Sequence, residues 1–436
     1  MTSPTAQTAG QADAASVTEL CNDLAKRAGA ASRALAGVSG EQRNAALHAI
    51  AEAIASAGDA LKQANEKDLA AGREAGLAAA MLDRLTLTDA RIAGMADAVR
   101  QIAAQADPLG RVMEGRVLPN GIRLQKVRVP IGVVLIIFES RPNVTCDAAA
   151  LCLKSGNAVI LRGGKEAKHS NAAIANCVRA GMEKAGLPAG ASDAVQLVPT
   201  TDRAAVSELL KMEGRIDVCI PRGGESLIRA VVEQAHIPVI KHYTGNCHLY
   251  IDAACDEAMA VEIAVNAKTQ RPGVCNATET IIVHREAADR GVLKQVCEAL
   301  AGKGVEVRGD ARTCCYYTEA KTAEEADWSA EYLDLVVAVR VVDGIECAID
   351  HINRYGSKHT DAIVTTQVAA ADRFVQAVDS ANVFVNCSTR FSDGGQYGLG
   401  AEIGISTDKL HARGPMGADD LTTYKWVAYG NGQVRS

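Results

Sequence analysis

Of thirteen cysteines, one lies where a thiol can react. Cys275 sits in Gln270-Arg271-Pro272-Gly273-Val274-Cys275-Asn276, after the helical stretch Glu257–Lys268 and before a predicted strand, Thr280–His284. Pro and Gly force a loop there, so the thiol is not plain core filler. Lys268 and Arg271 nearby favour the thiolate, the form that attacks carbon. Cys146, Cys152, Cys177 and Cys297 fall in apolar helical text and read as packing residues, and the adjacent Cys314-Cys315 pair reads as inert.

Two glycine turns suggest a second kind of site. Leu161-Arg162-Gly163-Gly164-Lys165 and Ile220-Pro221-Arg222-Gly223-Gly224-Glu225-Ser226 each follow a predicted strand and open a helix. Backbone N–H groups in such turns can approach an anion, and each pair carries an Arg, which suits a phosphate-bearing cofactor. Neither is a GxGxxG fingerprint. Gly398-Leu399-Gly400, with Gly404 after it, has the wrong spacing and context. The phosphate-loop, nucleophile-elbow, HExxH and CxxC patterns are absent. His351 and His359 stand eight apart with no third ligand nearby, so no metal site is expected.

The elements that must hold these residues alternate. After Pro130, short apolar runs (Val133–Phe138, Ala158–Arg162, Val195–Pro199, Ile216–Pro221, Ile237–Lys241) are separated by helical stretches near Asp147–Ser155, Ser170–Ala185, Asp202–Met212 and Ser226–Gln234. That order predicts right-handed crossovers and a parallel sheet. A second series follows at Thr280–His284, Leu335–Val342, Ala362–Thr365 and Val383–Asn386, with a boundary near Gly245–Asp252. Before Pro130 the text is helical from Val17 to about Ala106, with Ile92, Met95, Val99 and Ile102 on one face. Gly115–Arg128 carries Asn120-Gly121, a two-residue hairpin signal, and Thr422–Tyr429 could add a strand.

Composition narrows the class. The 436 residues favour two or three domains. A net charge of −6 and only 3% aromatics leave no basic footprint or stacking platform for nucleic acid. The densest apolar run, Ile131–Phe138, is far below the roughly 20 residues of a membrane span. The N-terminus lacks the charged start and apolar stretch of a secretory signal, and the odd cysteine count reads as reduced thiols, so the expected location is the cytoplasm.

The stretch Ala348-Ile349-Asp350-His351-Ile352-Asn353-Arg354-Tyr355-Gly356-Ser357-Lys358-His359-Thr360-Asp361-Ala362-Ile363 resembles the signature of the gamma-glutamyl phosphate reductase (glutamate-5-semialdehyde dehydrogenase) family, within the aldehyde dehydrogenase superfamily. Further similar motifs run in order from Pro130-Ile131-Gly132-Val133 through Phe138-Glu139-Ser140-Arg141-Pro142-Asn143-Val144, Arg162-Gly163-Gly164-Lys165-Glu166, Pro221-Arg222-Gly223-Gly224 and Arg271-Pro272-Gly273-Val274-Cys275-Asn276 to His411-Ala412-Arg413-Gly414-Pro415-Met416-Gly417.

The resemblance implies an α/β, aldehyde dehydrogenase-like fold: a Rossmann-like cofactor domain, an α/β catalytic domain and a β oligomerisation arm. On this chain those become a loose tail (1–16), an NADP-binding domain (17–110 and 130–246), an arm (111–129 and 410–436) and a catalytic domain (247–409). It also implies NADPH-dependent reduction of L-glutamate 5-phosphate to the 5-semialdehyde with release of phosphate, the second step of proline biosynthesis, and no metal. Cys275 becomes the nucleophile that forms a thioester, and the Asn143 amide becomes an oxyanion donor together with the Cys275 N–H.

Arg162, Gly163, Gly164 and Lys165 match the stretch that holds the adenosine ribose, and two cations there favour a 2′-phosphate. Gly223 and Gly224 would approach the pyrophosphate, and Glu331 resembles the residue that holds the nicotinamide ribose. His351, His359, Arg413 and the Ser388-Thr389-Arg390 turn are candidates for the substrate carboxylate and phosphate. Oxidising relatives carry a general-base Glu where this chain reads Tyr243-Thr244-Gly245-Asn246, so water attack on a thioester should be slow. The alternative reading is an NAD(P)-dependent oxidation of a small aldehyde. A homo-oligomer is expected, and association with the preceding glutamate 5-kinase is conceivable.

Overall fold

The computed structural model describes residues 7–435. The chain forms two compact units, one of residues 1–241, 398–404 and 416–436 and the other of residues 242–397 and 405–415. The first division falls at Lys241/His242, five residues before the boundary expected at 246/247, and 410–415 join the second unit rather than the arm. The tail is also shorter than expected. A helix spans Gln7–Leu35, so residues 7–16 are helical, and residues 1–6 lie outside the described part.

The first unit begins with a helical layer. Ser39 and Gln42 form a reciprocal cap at the start of Gly40–Ser56, satisfying N–H groups that the helix leaves open. The helix Asp89–Ala104 buries the face expected of it, Ile92, Met95, Val99 and Ile102. Gly181, in the helix Lys168–Lys184, lets that helix approach Gly40–Ser56 closely, since a Cβ there would lie 2.6 Å from Ile50 Cα. Lys154 is buried but satisfied, its ammonium donating to Asn44 Oδ1 and to the carbonyls of Ala103 and Gln105.

The arm is antiparallel. Strands β1 (Val112–Val117) and β2 (Arg123–Pro130) pair, and the C-terminal strand Thr422–Tyr429 pairs with β2 over its whole length. Their connection is a five-residue loop rather than the two-residue turn that Asn120-Gly121 suggested. Leu118 N–H donates to Ile122 O, and Gly121 takes φ +84°.

Four parallel strands make the sheet of the first unit: β3 (Val133–Phe138), β4 (Ala158–Gly163), β5 (Val195–Leu197) and β6 (Val218–Arg222), in the order β5-β4-β3-β6. All six residues of β3 are buried, as expected for a central parallel strand covered on both faces. Ile237–Lys241, expected as a further strand, makes only one bridge, Cys219 to Val239. Pro238 has no N–H to extend the ladder.

The second unit holds a seven-stranded parallel sheet: β7 (Cys247–Ile251), β8 (Thr278–His284), β9 (Glu306–Gly309), β10 (Lys321–Thr322), β11 (Val336–Val342), β12 (Thr360–Val364) and β13 (Asn382–Val385). Their order is β10-β9-β11-β8-β7-β12-β13. Side chains alternate between two cores. Leu249, Ile251, Ile281 and Val339 pack with helices Glu257–Thr269 and Val292–Ala301, while Tyr250, Ile282 and Ile363 pack with Ile345–Tyr355 and Val368–Ala377. The interior strand β7 falls where the sequence suggested only a boundary. His248 interrupts its apolar pattern, and Asp361 holds it: both its backbone N–H and its Nδ1 meet Asp361 Oδ1, at 2.8 and 2.9 Å.

Candidate active site

In the second unit the candidate nucleophile, Cys275, lies at the amino-terminal edge of the sheet. Strands β7, β8 and β12 are neighbours, and they begin at Cys247, Thr278 and Thr360. The segments leading into them therefore converge, carrying His242 and Gly245, Cys275, and His359. Donor atoms of His242, Cys275 and His359 all lie within 4.8 Å of one another. The two imidazoles meet edge to face, with ring centroids 5.3 Å apart. His359 is buried, while His242 and Cys275 are half-buried and reachable. Sequence reading reached Cys275 and His359 but missed His242. A single His four residues before Asn246 carries no pattern of its own.

The cysteine loop is held from several sides. Gly245 packs against it so closely that a Cβ there would sit 2.0 Å from Cys275 O and 2.5 Å from Cys275 Cα. The buried Cys247 thiol donates to Cys275 O at 3.1 Å. Asn276 Nδ2 donates to Ser392 O, and Thr389 Oγ1 donates to Asn276 O. Glu331 accepts the Gly245 N–H at 2.9 Å, so this carboxylate also braces the segment against the cysteine.

The charges near the thiol differ from expectation at one residue. Lys268 turns its ammonium into a buried pair with Glu279, 2.5 Å away, rather than toward Cys275. Burial holds the Lys268 pKa below its usual value and pushes Glu279 up to about 7. Arg390, rather than Lys268, interacts electrostatically with Cys275. Burial lowers its pKa, and Asp393 and Cys275 both act to raise it. Its Nε donates to Gln270 Oε1 at 2.8 Å, which fixes the guanidinium beside the loop.

Two of the proposed substrate residues separate. His351 is not in the cysteine group. It is buried among Trp328, Tyr355 and His248, with its Nδ1 2.7 Å from Arg340 Nη1. Burial first, then the nearby His248 and Arg340, lowers its pKa to about 2, so it is a neutral packing residue rather than a cation for an anion. Arg413 joins a cationic cluster. It lies 3.0 Å from Asp379, which also pairs with Lys409 at 2.7 Å and Lys358 at 3.5 Å. The Lys409 hydrogen bond is the largest cause that lowers the Asp379 pKa to about 2. Three cations around one carboxylate leave a surplus of positive charge.

In the first unit the two glycine turns come together at the carboxyl edge of the sheet. Phe138 aligns with Gly163 on one side and with Arg222 on the other. Gly224 N–H donates to Glu139 Oε2 at 3.1 Å, and Ser140 N–H donates to Glu166 Oε1 at 2.6 Å. That second bond helps hold Ser140 in the left-handed region at φ +44°, a strained setting for a residue with a side chain. Carboxylates also fill the space that side chains at the glycines would take. A Cβ on Gly164 would lie 2.1 Å from Glu166 Oε1, and one on Gly223 would lie 2.4 Å from Glu139 Oε2. Arg162 donates to Thr201 O, and Lys165 is exposed.

The turn is therefore a glycine-backed cradle with two carboxylates and two cations. It fits a cofactor with ribose hydroxyls and phosphates. Nearby, Asn143 donates to Asp147 Oδ2 at 2.8 Å. Burial raises the Asp147 pKa to about 6, against the opposing pull of that hydrogen bond and of Arg222.

The chain is similar to known proteins over nearly its whole length. A model of the aldehyde dehydrogenase family matches residues 2–312. A gamma-glutamyl phosphate reductase of Geobacter sp. (strain M21) is 54% identical over 420 residues, covering 96% of this chain and all of that protein. The crystal structure of a gamma-glutamyl phosphate reductase from Thermotoga maritima superposes with a TM-score of 0.91 at 42% identity, covering 95% of this chain and 100% of that one. An acetylating aldehyde dehydrogenase from Geobacillus thermoglucosidasius shares the fold at 18% identity, with a TM-score of 0.70, covering 97% and 99% of the two chains.

Proposed function

The chain belongs to the aldehyde dehydrogenase family and, within it, to the gamma-glutamyl phosphate reductases, and we propose that it reduces L-glutamate 5-phosphate to L-glutamate 5-semialdehyde with release of phosphate, a step of proline biosynthesis. It uses a nicotinamide cofactor, and we assign NADP(H), because Arg162 and Lys165 supply cations beside the glycine turns. That cofactor supplies hydride. The turn residues Gly163, Gly164, Gly223 and Gly224 would hold it by their backbones, with the Glu139 and Glu166 carboxylates near ribose hydroxyls.

In this reading Cys275 attacks the acyl carbon and phosphate leaves, giving a thioester on Sγ. Arg390 stands beside the cysteine loop, and the neighbouring imidazoles of His242 and His359 are the proposed acceptors of the thiol proton. Once the thioester is reduced, the thiohemiacetal collapses, and the thiolate leaves as the aldehyde is released. The Asn143 amide and the Cys275 N–H are the proposed oxyanion donors, and Glu331 the proposed contact to the nicotinamide ribose. Arg413, with Lys358 and Lys409, is the proposed anchor for an anionic end of the substrate.

One observation carries the choice of reductase over oxidase. The segment packed against Cys275 presents the Gly245 backbone, where the sequence offers Tyr243-Thr244-Gly245-Asn246 and no carboxylate. Without a carboxylate base in that segment to activate water, phosphate rather than water is the partner of the thioester. The test is NADP reduction by glutamate 5-semialdehyde with and without phosphate. Turnover should need phosphate, and a full rate without it would favour the oxidase. We further propose a homo-oligomer built through the arm, a cytoplasmic location, and hand-over of the substrate from the preceding kinase. Among the described residues no helix is long and apolar enough to cross a membrane.

A further inference from the structure

The cysteine group has the composition of a metal site. His242, Cys275 and His359 offer two imidazole nitrogens and one thiolate within 4.8 Å of one another. We propose that these three residues reversibly bind a thiophilic divalent cation, Zn²⁺ being the best match, and that the bound ion withholds the Cys275 sulfur from electrophiles.

The donor set is the first argument. Zn²⁺ takes His nitrogen at about 2.0–2.1 Å and Cys sulfur at about 2.3 Å, tetrahedrally, and sites with three protein ligands keep a fourth position for water. Those lengths put ligand atoms about 3.5 Å apart, so the trio must close by at most roughly 1.5 Å, a movement that side-chain torsions supply. His242 and Cys275 are half-buried and can make it, while buried His359 serves as the fixed ligand.

The supporting contacts are the second argument. His242 Nδ1 lies 2.8 Å from Ile405 O, and His359 Nδ1 lies 2.9 Å from Thr360 Oγ1. Metal-bound histidines are usually anchored in this way, through the ring nitrogen that does not touch the ion. That anchoring leaves Nε2 as the ligand nitrogen on each ring. The edge-to-face arrangement, with centroids 5.3 Å apart, is close to the roughly 5 Å expected for two imidazoles on one tetrahedral ion. On binding, the Cys275 thiol proton passes to solvent, the sulfur–metal bond forms, and no redox step is involved.

The site shares Cys275 with the proposed reaction but does not depend on that reaction, because binding is read without substrate. The full-length reduced protein is titrated with Zn²⁺ against a chromophoric chelator, and Co²⁺ is used as a spectroscopic probe. We expect one equivalent per chain, a thiolate-to-cobalt absorption, and at least tenfold weaker binding in Cys275→Ser and in His242→Ala. Cys315→Ser, an exposed thiol outside the group, should bind like the parent.

Zn²⁺ should also slow iodoacetamide labelling of the Cys275 peptide at least tenfold, with recovery on adding EDTA. Thermal melts confirm that each variant is folded. An equivalent that survives in Cys275→Ser, or Cys275 labelling indifferent to Zn²⁺, overturns the proposal. Phosphate-independent semialdehyde oxidation would remove the reductase reading and leave this site standing.

Discussion

Gly245→Ala is the sharpest probe of the active-site geometry. Gly245 does not need an unusual backbone angle, because it is not among the glycines at positive φ. Its constraint is contact alone. An added Cβ would lie 2.0 Å from Cys275 O and 2.5 Å from Cys275 Cα, where real Cβ atoms essentially never come within 3.0 Å. Both obstructing atoms are backbone, so no side chain can swing aside. The cysteine loop must retreat by about 1 Å.

A displacement of that size at a reacting atom costs on the order of 100-fold in rate, equivalent to about 2.7 kcal/mol of barrier. Overpacking adds roughly 1–3 kcal/mol of destabilisation. The assay is NADPH oxidation with the acyl phosphate, alongside iodoacetamide labelling of Cys275 and a thermal melt. Gly344→Ala is the control in the same unit, since nothing lies within 4 Å of its Cβ position. We expect kcat to fall about 100-fold in Gly245→Ala, with a Tm lower by a few degrees, and Gly344→Ala to stay near the parent. A Gly245→Ala protein with parental kcat and Tm would refute the packing argument.

Three other outcomes follow from single groups. With its pKa raised to about 6, Asp147 is protonated below that pH and becomes a better acceptor for the Asn143 amide as pH rises through it. The kcat profile should show an inflection near 6 that is lost in Asp147→Asn. The same raised pKa favours the folded state at acid pH, and that contribution is lost as pH rises through about 6.

Arg413→Ala removes one cation from the Asp379 cluster. Losing one charged hydrogen bond to substrate is worth about 1.5–3 kcal/mol, so KM should rise about 10- to 100-fold with kcat nearly kept. An unchanged KM would place the substrate elsewhere. Lys268→Met strands the buried Glu279 and should cost about 3–5 kcal/mol in chemical denaturation, whereas Lys268→Met with Glu279→Leu should recover most of it. Equal losses in the single and double variants would mean the pair does more than cancel its own burial.

Local signals in the chain mark the candidate chemistry. Pro272 and Gly273 alone make the Cys275 segment a loop, and the Gly163-Gly164 and Gly223-Gly224 turns after apolar runs mark one sheet edge as a candidate ligand site, because backbone freedom and periodicity are properties of neighbouring residues. The motif order from Pro130 to Gly417 was also readable, and it pointed to the family that the comparisons show.

What the sequence could not settle depended on partners far along the chain. Lys268 looked like an activating cation until Glu279 was seen to hold it, and His351 and His359 looked alike until one was buried against Arg340 and the other brought to the thiol. His242 became visible only where β7, β8 and β12 start side by side. A parallel sheet sets residues from distant segments next to each other, and the pKa or reach of a side chain is decided by those neighbours. Thirteen cysteines could be narrowed to one candidate by local chain geometry, but the two imidazoles that flank that thiol were placed there by the fold.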